Sequence, residues 1–177
     1  GAEGVLVATA GRLLVGLGLG LLVGLALVHS AAESAHWLED REAADRAARA
    51  EIAALAEVLG SAGGAGVAAP GVVGQWLVRG STLREVRVVN LAERSLVASS
   101  LATEKAPRRL EREEKPLFDL AQTLRAAIEE NREAGHGVKE EIAVERLPGA
   151  VRMAVPVFAG SEFVGFVQAT AARPAAG

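Results

Sequence analysis

The residues that could carry chemistry are few, and the three histidines come first. His29 and His36 lie seven residues apart, which places both on one face of a helix, where two imidazoles could bind a metal ion. No third ligand has a matching spacing, so amphipathic residues at a membrane edge are the favoured interpretation. His136 lies between two glycines in a predicted loop, where water solvates it. The histidines therefore predict no metal site, and no cofactor is expected.

The acidic residues include two adjacent doublets, Glu113-Glu114 and Glu140-Glu141, in highly charged stretches. General acid–base catalysis needs a carboxyl group whose pKa is tuned by its surroundings, which exposed doublets do not provide. The sequence has no G-x-S-x-G elbow, no phosphate-binding loop and no Ser/His/Asp spacing typical of a hydrolase. No catalytic residue is predicted.

Two polar residues stand out because they interrupt apolar segments near the end of the chain. Arg152 lies in AVRMAVPVF and Gln168 lies in EFVGFVQATA. A guanidinium can hold the carboxylate of a small organic acid, so these two are the candidate ligand-binding residues. The alternative is that Arg152 points off the sheet edge into water. Trp76 and Phe118 are expected in the core rather than in a pocket wall.

Composition narrows the class of protein. The chain has 177 residues, 19 basic and 22 acidic side chains and a net charge of −3, which gives no basic surface for nucleic acid. It has no cysteine, which excludes thiolate zinc sites, thiol catalysis and disulfides. After the first segment about 145 residues remain, enough for one domain with its own core.

The N-terminal segment is predicted to cross a membrane. Between Val5 and Val28 the only charged residue is Arg12. A spanning helix needs about 20 apolar residues, and an arginine near its end can extend to the lipid headgroups. Residues 1–30 are therefore predicted as a transmembrane helix, with Arg12 in the cytoplasm and the domain outside. The alternative is a cleaved signal peptide with Val28-His29-Ser30 as its cleavage site.

Three glycines of this segment, Gly16, Gly20 and Gly24, recur every four residues and fall on one helix face. Such a stripe of small residues allows a second helix backbone to approach closely, which predicts helix–helix packing in a dimer. The competing interpretation is that glycine is simply common in this chain and in membrane spans.

The rest of the chain predicts an α+β domain. Residues 31–60 form a long helix outside the membrane, because residues 31–59 lack glycine and proline and Gly60 ends the pattern. Residues 61–172 are the predicted sheet core, and residues 173–177 a truncated tail toward an expected second membrane helix. The predicted elements of the core are a short helix at 72–78, strands at 83–91 and 95–100, a helix at 116–131, and strands at 138–146, 150–158 and 162–171.

Two hairpin sequences carry a family resemblance. LREVRVVNLAERSLVASS resembles an opening hairpin, and AVRMAVPVFAGSEFVGFVQATAA a closing one with a proline, a short turn and V-G-F-V. Over residues 31–172 the order of elements resembles a single Cache domain, the PAS-like extracytoplasmic sensor module of bacterial membrane receptors. The resemblance implies a long helix packed on a five-stranded antiparallel PAS-like sheet, a second membrane helix leading to a cytoplasmic output domain, and a homodimer.

The leading hypothesis is therefore a ligand-sensing domain of a membrane signal-transduction receptor of the kinase, nucleotide cyclase or chemoreceptor type. It would lie in the periplasm, anchored in the inner membrane of a bacterium, and bind a small molecule or a protein. The first alternative is a single-pass structural accessory subunit of a larger membrane complex. A secreted enzyme is the least favoured. Both ends suggest a piece of a longer polypeptide, so the full-length gene would separate the first two.

Overall fold

The structure is a computed structural model that describes residues 2–136 and 142–173. The chain forms two compact units, residues 1–42 and residues 43–175, each with its own internal contacts. The helices are α1 (Ala2–Ser61), α2 (Ala69–Val78) and α3 (Lys115–Glu133). The strands are β1 (Leu83–Asn90), β2 (Ser95–Ser99), β3 (Arg108–Arg109), β4 (Ala143–Leu147), β5 (Ala150–Ala159) and β6 (Glu162–Ala172).

In the first unit, the apolar part of α1 presents its side chains to the outside. Leu21, Leu25 and Val28 are all more than half exposed. In the part of the chain that the structure describes, α1 is the one helix long and apolar enough to cross a membrane. The expectation of an N-terminal helix that is long and apolar enough to span a membrane is therefore confirmed.

The second unit is built on an antiparallel sheet of six strands in the order β3-β2-β1-β6-β5-β4. The prediction of five strands is wrong, because it missed the edge strand β3. In β3, Arg108 pairs with Leu96 and Arg109 with Ser95. Two arginines in a charged segment have no apolar periodicity to reveal them, because their extended conformation depends on pairing with β2. The α+β class and the antiparallel sheet are confirmed.

Helices cover both faces of the sheet. On one face, Ile52, Leu55 and Leu59 of α1 are fully buried and pack on aliphatic residues of the central strands. Their spacing is helical, and burying each contributes about 1.5–3 kcal/mol. On the other face, Leu124 of α3 packs in a smaller cluster that includes Phe166. Where α3 covers them, around Ala154 and Phe166, the closing strands β5 and β6 are apolar on both sides because each side meets a helix.

The connection between α2 and β1 is fixed by one carboxylate of α1. Glu51 accepts hydrogen bonds from Trp76 Nε1 at 3.3 Å, from the Thr82 amide at 3.0 Å, from Thr82 Oγ1 at 2.9 Å and from the Ser81 hydroxyl. Trp76 therefore packs at the margin of the core with its N–H satisfied.

The predicted strand at 138–146 is present only as β4, which begins at Ala143. Residues 138–141 of that prediction lie outside the described residues, as do residues 174–177 of the predicted tail.

Candidate functional site

A row of polar side chains crosses the sheet on the face that α3 partly covers. Strand register sets Arg87 of β1 opposite Gln168 of β6, and Arg152 of β5 between Thr170 of β6 and Glu145 of β4. Partners directly opposite in antiparallel strands share a face, and residues two apart on one strand do as well. These five side chains, called here the polar band, therefore lie on the same side as Phe166 and Ala154, which pack against α3.

The two predicted ligand-binding residues line one cavity of this band. Arg152 and Gln168 border a space of about 140 Å³, together with Glu145 and with Leu120 of α3. The Arg152 side chain is 31% exposed, and its Nη1 lies 3.4 Å from Glu145 Oε2. Its Nε is buried and has no hydrogen-bond partner among the described residues. The guanidinium is thus held by one long ion pair and retains donors for a further acceptor.

Gln168 connects this cavity to a chain of ion pairs that sequence reasoning missed. Its Oε1 accepts a hydrogen bond of 3.5 Å from Arg87 Nη1, whose Nε donates to Glu104 Oε2 at 2.8 Å. Glu104 Oε1 lies 3.3 Å from Arg108 Nη2, which also binds Glu114 Oε1 at 2.6 Å. Arg108 pairs with glutamates of its own segment 103–115, and only the Arg87–Glu104 pair ties that segment to β1, so the charged run has no pattern that marks these residues.

Three glutamates are stabilised in their ionised form: Glu104 and Glu114 in these ion pairs, and Glu51 on α1. Burial alone would raise the pKa of Glu104, but hydrogen bonds from Ser99 and Arg87 and the charge of Arg108 lower it below the ordinary 4.5. The hydrogen bond from Arg108 lowers the pKa of Glu114, against a smaller opposing effect of burial. At Glu51, burial raises the pKa and the hydrogen bonds from Ser81, Thr82 and Trp76 outweigh it, so the pKa is again lowered.

These shifts predict acid sensitivity. A carboxyl group whose pKa is lower in the folded than in the unfolded chain contributes stability above its unfolded pKa, about 4.3 for glutamate, and loses it as the pH falls through the folded pKa. The melting temperature should therefore fall steadily below about pH 4.5. Glu104→Gln should melt lower than the parent at pH 7 and show a shallower decline in acid, as measured by calorimetry from pH 7 to pH 3.

Glu113→Gln is the matched control, because it removes an exposed neighbouring carboxylate that makes none of the hydrogen bonds described above. That variant should decline in acid as the parent does. Equal slopes for the parent and Glu104→Gln would contradict the assignment.

A partly buried ion pair joins the end of β6 to α1. Arg173 Nε and Nη2 donate to the two carboxylate oxygens of Asp45 at 3.0 and 2.7 Å. The Arg173 side chain is 7% exposed and that of Asp45 is 22% exposed. The two residues of this pair are 128 positions apart in the sequence.

The other candidate residues lie in the first unit. Gly20 and Gly24 have no atom within 4 Å of the position a Cβ would take, so their face of α1 is open. The surroundings of Gly16 lie outside the described part of the chain. His29 and His36 each face a glutamate of the same helix, Glu33 at 3.1 Å and Glu39 at 3.7 Å. Among the described residues, no group of three His, Asp or Glu side chains is placed to hold a metal ion.

Comparisons with known proteins add no relative. No protein-family model, no curated protein and no solved structure matches the chain. The case for a function therefore rests on the fold and on the geometry of the polar band.

Proposed function

We propose that residues 43–173 are the extracytoplasmic ligand-sensing part of a membrane receptor, a single Cache domain of PAS-like fold. The observation that carries the proposal is the cavity of about 140 Å³ that brings Arg152 and Gln168 together on one face of the sheet. A guanidinium held by a single long ion pair and partly exposed beside an amide keeps donors that can bind an anion.

The arrangement of strands supports the PAS-like assignment. Apart from the short edge strand β3, the order is β2-β1-β6-β5-β4, which pairs the first and last long strands at the centre of the sheet. The long helix α1 packs on one face, as expected of a sensor whose N-terminal helix enters the domain. The opposite face keeps its polar band next to α3, where a ligand has access.

The size of the cavity sets the class of ligand. A space of about 140 Å³ corresponds to four or five water molecules at roughly 30 Å³ each. A carboxylate of two to four carbons is of that size. Its oxygens would accept hydrogen bonds from Arg152 and from the Gln168 amide, with Leu120 and Ala154 beside the short chain.

Strand β6 offers a direct path from this cavity to α1. Gln168 and Thr170 face the polar band, and Arg173 follows at the end of the same strand, bound to Asp45 of α1. A shift of β6 on ligand binding would be transmitted to the helix through that ion pair. The first helix turns of α1 would then carry the change into the membrane of a bacterial cell, in a homodimer packed along Gly16, Gly20 and Gly24.

The test is binding of propionate to the full chain in lipid nanodiscs, measured by calorimetry against 1-propanol. Propionate should bind and propanol should not, because only the carboxylate can pair with a guanidinium. Arg152→Gln should weaken propionate binding by about tenfold or more, the equivalent of one charge-assisted hydrogen bond.

Arg146→Gln is the matched control, since it removes an exposed arginine from β4, the strand beside Arg152. That variant should bind as the parent does. If no carboxylate of two to four carbons binds the parent chain, the sensing proposal fails and the accessory-subunit alternative is favoured.

A further inference from the structure

A second and larger cleft opens where α3 meets the β1–β2 hairpin. Its volume is about 400 Å³. Leu91, Leu117 and Phe118 contribute its apolar wall, and Arg94, Gln122 and Arg125 its polar rim. Phe118 was expected in the core, and its half-buried ring lies in this wall instead. The cleft is separate from the small cavity at Arg152, with which it has no lining residue in common.

The charged side chains among the described residues that line the cleft, Arg94 and Arg125, are both positive. Arg94 and Arg125 are both exposed, and neither guanidinium makes a hydrogen bond or ion pair with any residue in the ranges 2–136 and 142–173. None of the described residues that line the cleft is acidic. Two uncompensated positive charges beside an apolar wall attract a molecule that carries a negative charge on an apolar body.

The position of Arg94 is fixed by its backbone. The Asn90 side chain accepts a hydrogen bond from the Glu93 amide at 3.1 Å and donates to the Ala65 carbonyl at 2.8 Å. The Leu110 amide donates to the Arg94 carbonyl at 2.8 Å. These bonds hold the hairpin turn and, with it, the rim of the cleft.

The residue type at this turn is not the one its backbone favours. Arg94 has φ +49°, in the left-handed region where glycine or asparagine is preferred. The turn therefore carries an arginine at a conformational cost, and its guanidinium borders the cleft. Residues held in such conformations are frequent at ligand sites.

We propose that this cleft is a second binding site, for an organic anion with an aromatic or extended apolar body. The carboxylate would pair with Arg94 and Arg125, and the apolar body would pack on Leu91, Leu117 and Phe118. At about 400 Å³ the cleft is within the usual range for small-molecule sites, whereas the cavity at Arg152 is below it. The two sites thus select organic acids of different size.

The probe is 3-phenylpropionate, with 3-phenylpropanol and 3-phenylpropylamine as its neutral and cationic analogues. Binding to the full chain in nanodiscs is measured by calorimetry, with empty nanodiscs subtracted. We expect the acid to bind at least about tenfold more tightly than the alcohol, and the amine not to bind, because the apolar body is shared and only the charge differs.

Three variants locate the site. The double variant R94Q/R125Q should lose the preference for the acid over the alcohol, and Arg146→Gln should keep it, since Arg146 lies on β4 outside the cleft. Arg94→Gly removes one charge and relieves the backbone, so it should melt at or above the parent temperature while binding the acid more weakly. This combination separates loss of the site from loss of the fold.

Equal affinity for the acid and the alcohol in the parent chain would overturn the proposal. So would an R94Q/R125Q variant that binds the acid as tightly as the parent does. Neither result depends on propionate binding at Arg152, so the two sites are tested independently.

Discussion

Replacing Gly165 with valine is expected to prevent the second unit from folding stably. Gly165 lies in the central strand β6, beside β1 and the loop that follows α1. A Cβ at this position would overlap the Val89 carbonyl oxygen and lie 2.5 Å from the Cβ of Ala65. Neither neighbour can move alone, because the first is backbone of a paired strand and the second is buried.

The size of the effect follows from the cost of overpacking. Extra methyl groups in a close-packed core cost about 1–3 kcal/mol, and a clash with backbone lies at the upper end. We expect Gly165→Ala to lower the free energy of unfolding by about 3 kcal/mol. Gly165→Val should lower it by more than the whole stability of a marginal domain, so that this variant does not fold. Urea unfolding of the full chain, followed by tryptophan fluorescence, measures both.

Gly74→Ala is the matched control. Gly74 lies in α2 with no atom within 4 Å of a Cβ and no unusual φ. Alanine is the better helix former by about 1 kcal/mol, so this variant should be as stable as the parent or slightly more stable. A Gly165→Ala variant with parental stability would show that β1 and β6 are not as close as described.

Asp45→Ala is expected to have the second large effect, because it leaves a buried guanidinium without its partner. Removing one member of a buried ion pair costs about 3–5 kcal/mol, and the partial exposure of Asp45 places this pair at the lower end. Arg173 is the more deeply buried of the two and already has one Nη without a hydrogen-bond partner among the described residues. The loss should appear as a lower urea midpoint with an unchanged slope.

A double variant distinguishes the missing partner from lost packing. Asp45→Leu with Arg173→Met replaces the pair with apolar side chains and should recover most of the stability lost by Asp45→Ala. Lys115→Gln, which breaks an exposed pair with Asp119 at 2.6 Å, should change stability by less than about 0.5 kcal/mol. A double variant no more stable than Asp45→Ala would show that the two residues do not interact.

Much of the fold could be predicted from local pattern. Ile52, Leu55 and Leu59 repeat at helical spacing and form the packed face of α1, and Pro116 lies in the first turn of α3, where proline is tolerated. The predicted strands at 150–158 and 162–171 correspond to β5 and β6, which are mostly apolar along their length. These features are visible because helices and strands repeat their buried positions at 3.6 and 2 residues, and the hydrophobic effect acts on each repeat separately.

The candidate site could be predicted only in part. Arg152 and Gln168 were detectable because a charged or amide side chain in an apolar run is costly unless it has a partner or a ligand. The cavity that these two residues share could not be predicted from the sequence, because it depends on the register between β5 and β6. The same holds for the ion pair between Arg87 and Glu104, which joins β1 to a segment 17 residues away.

The sequence by itself therefore determined the element types, the apolar N-terminal helix, the antiparallel sheet and the two polar candidates. Only the tertiary structure decided the sixth strand, the Asp45–Arg173 ion pair, the close approach at Gly165 and the cleft beside Arg94. The physical reason is the separation along the chain over which each interaction acts. Propensity and amphipathicity act between neighbours along the chain, whereas ion pairs, backbone contacts and cavities depend on which distant segments pack together.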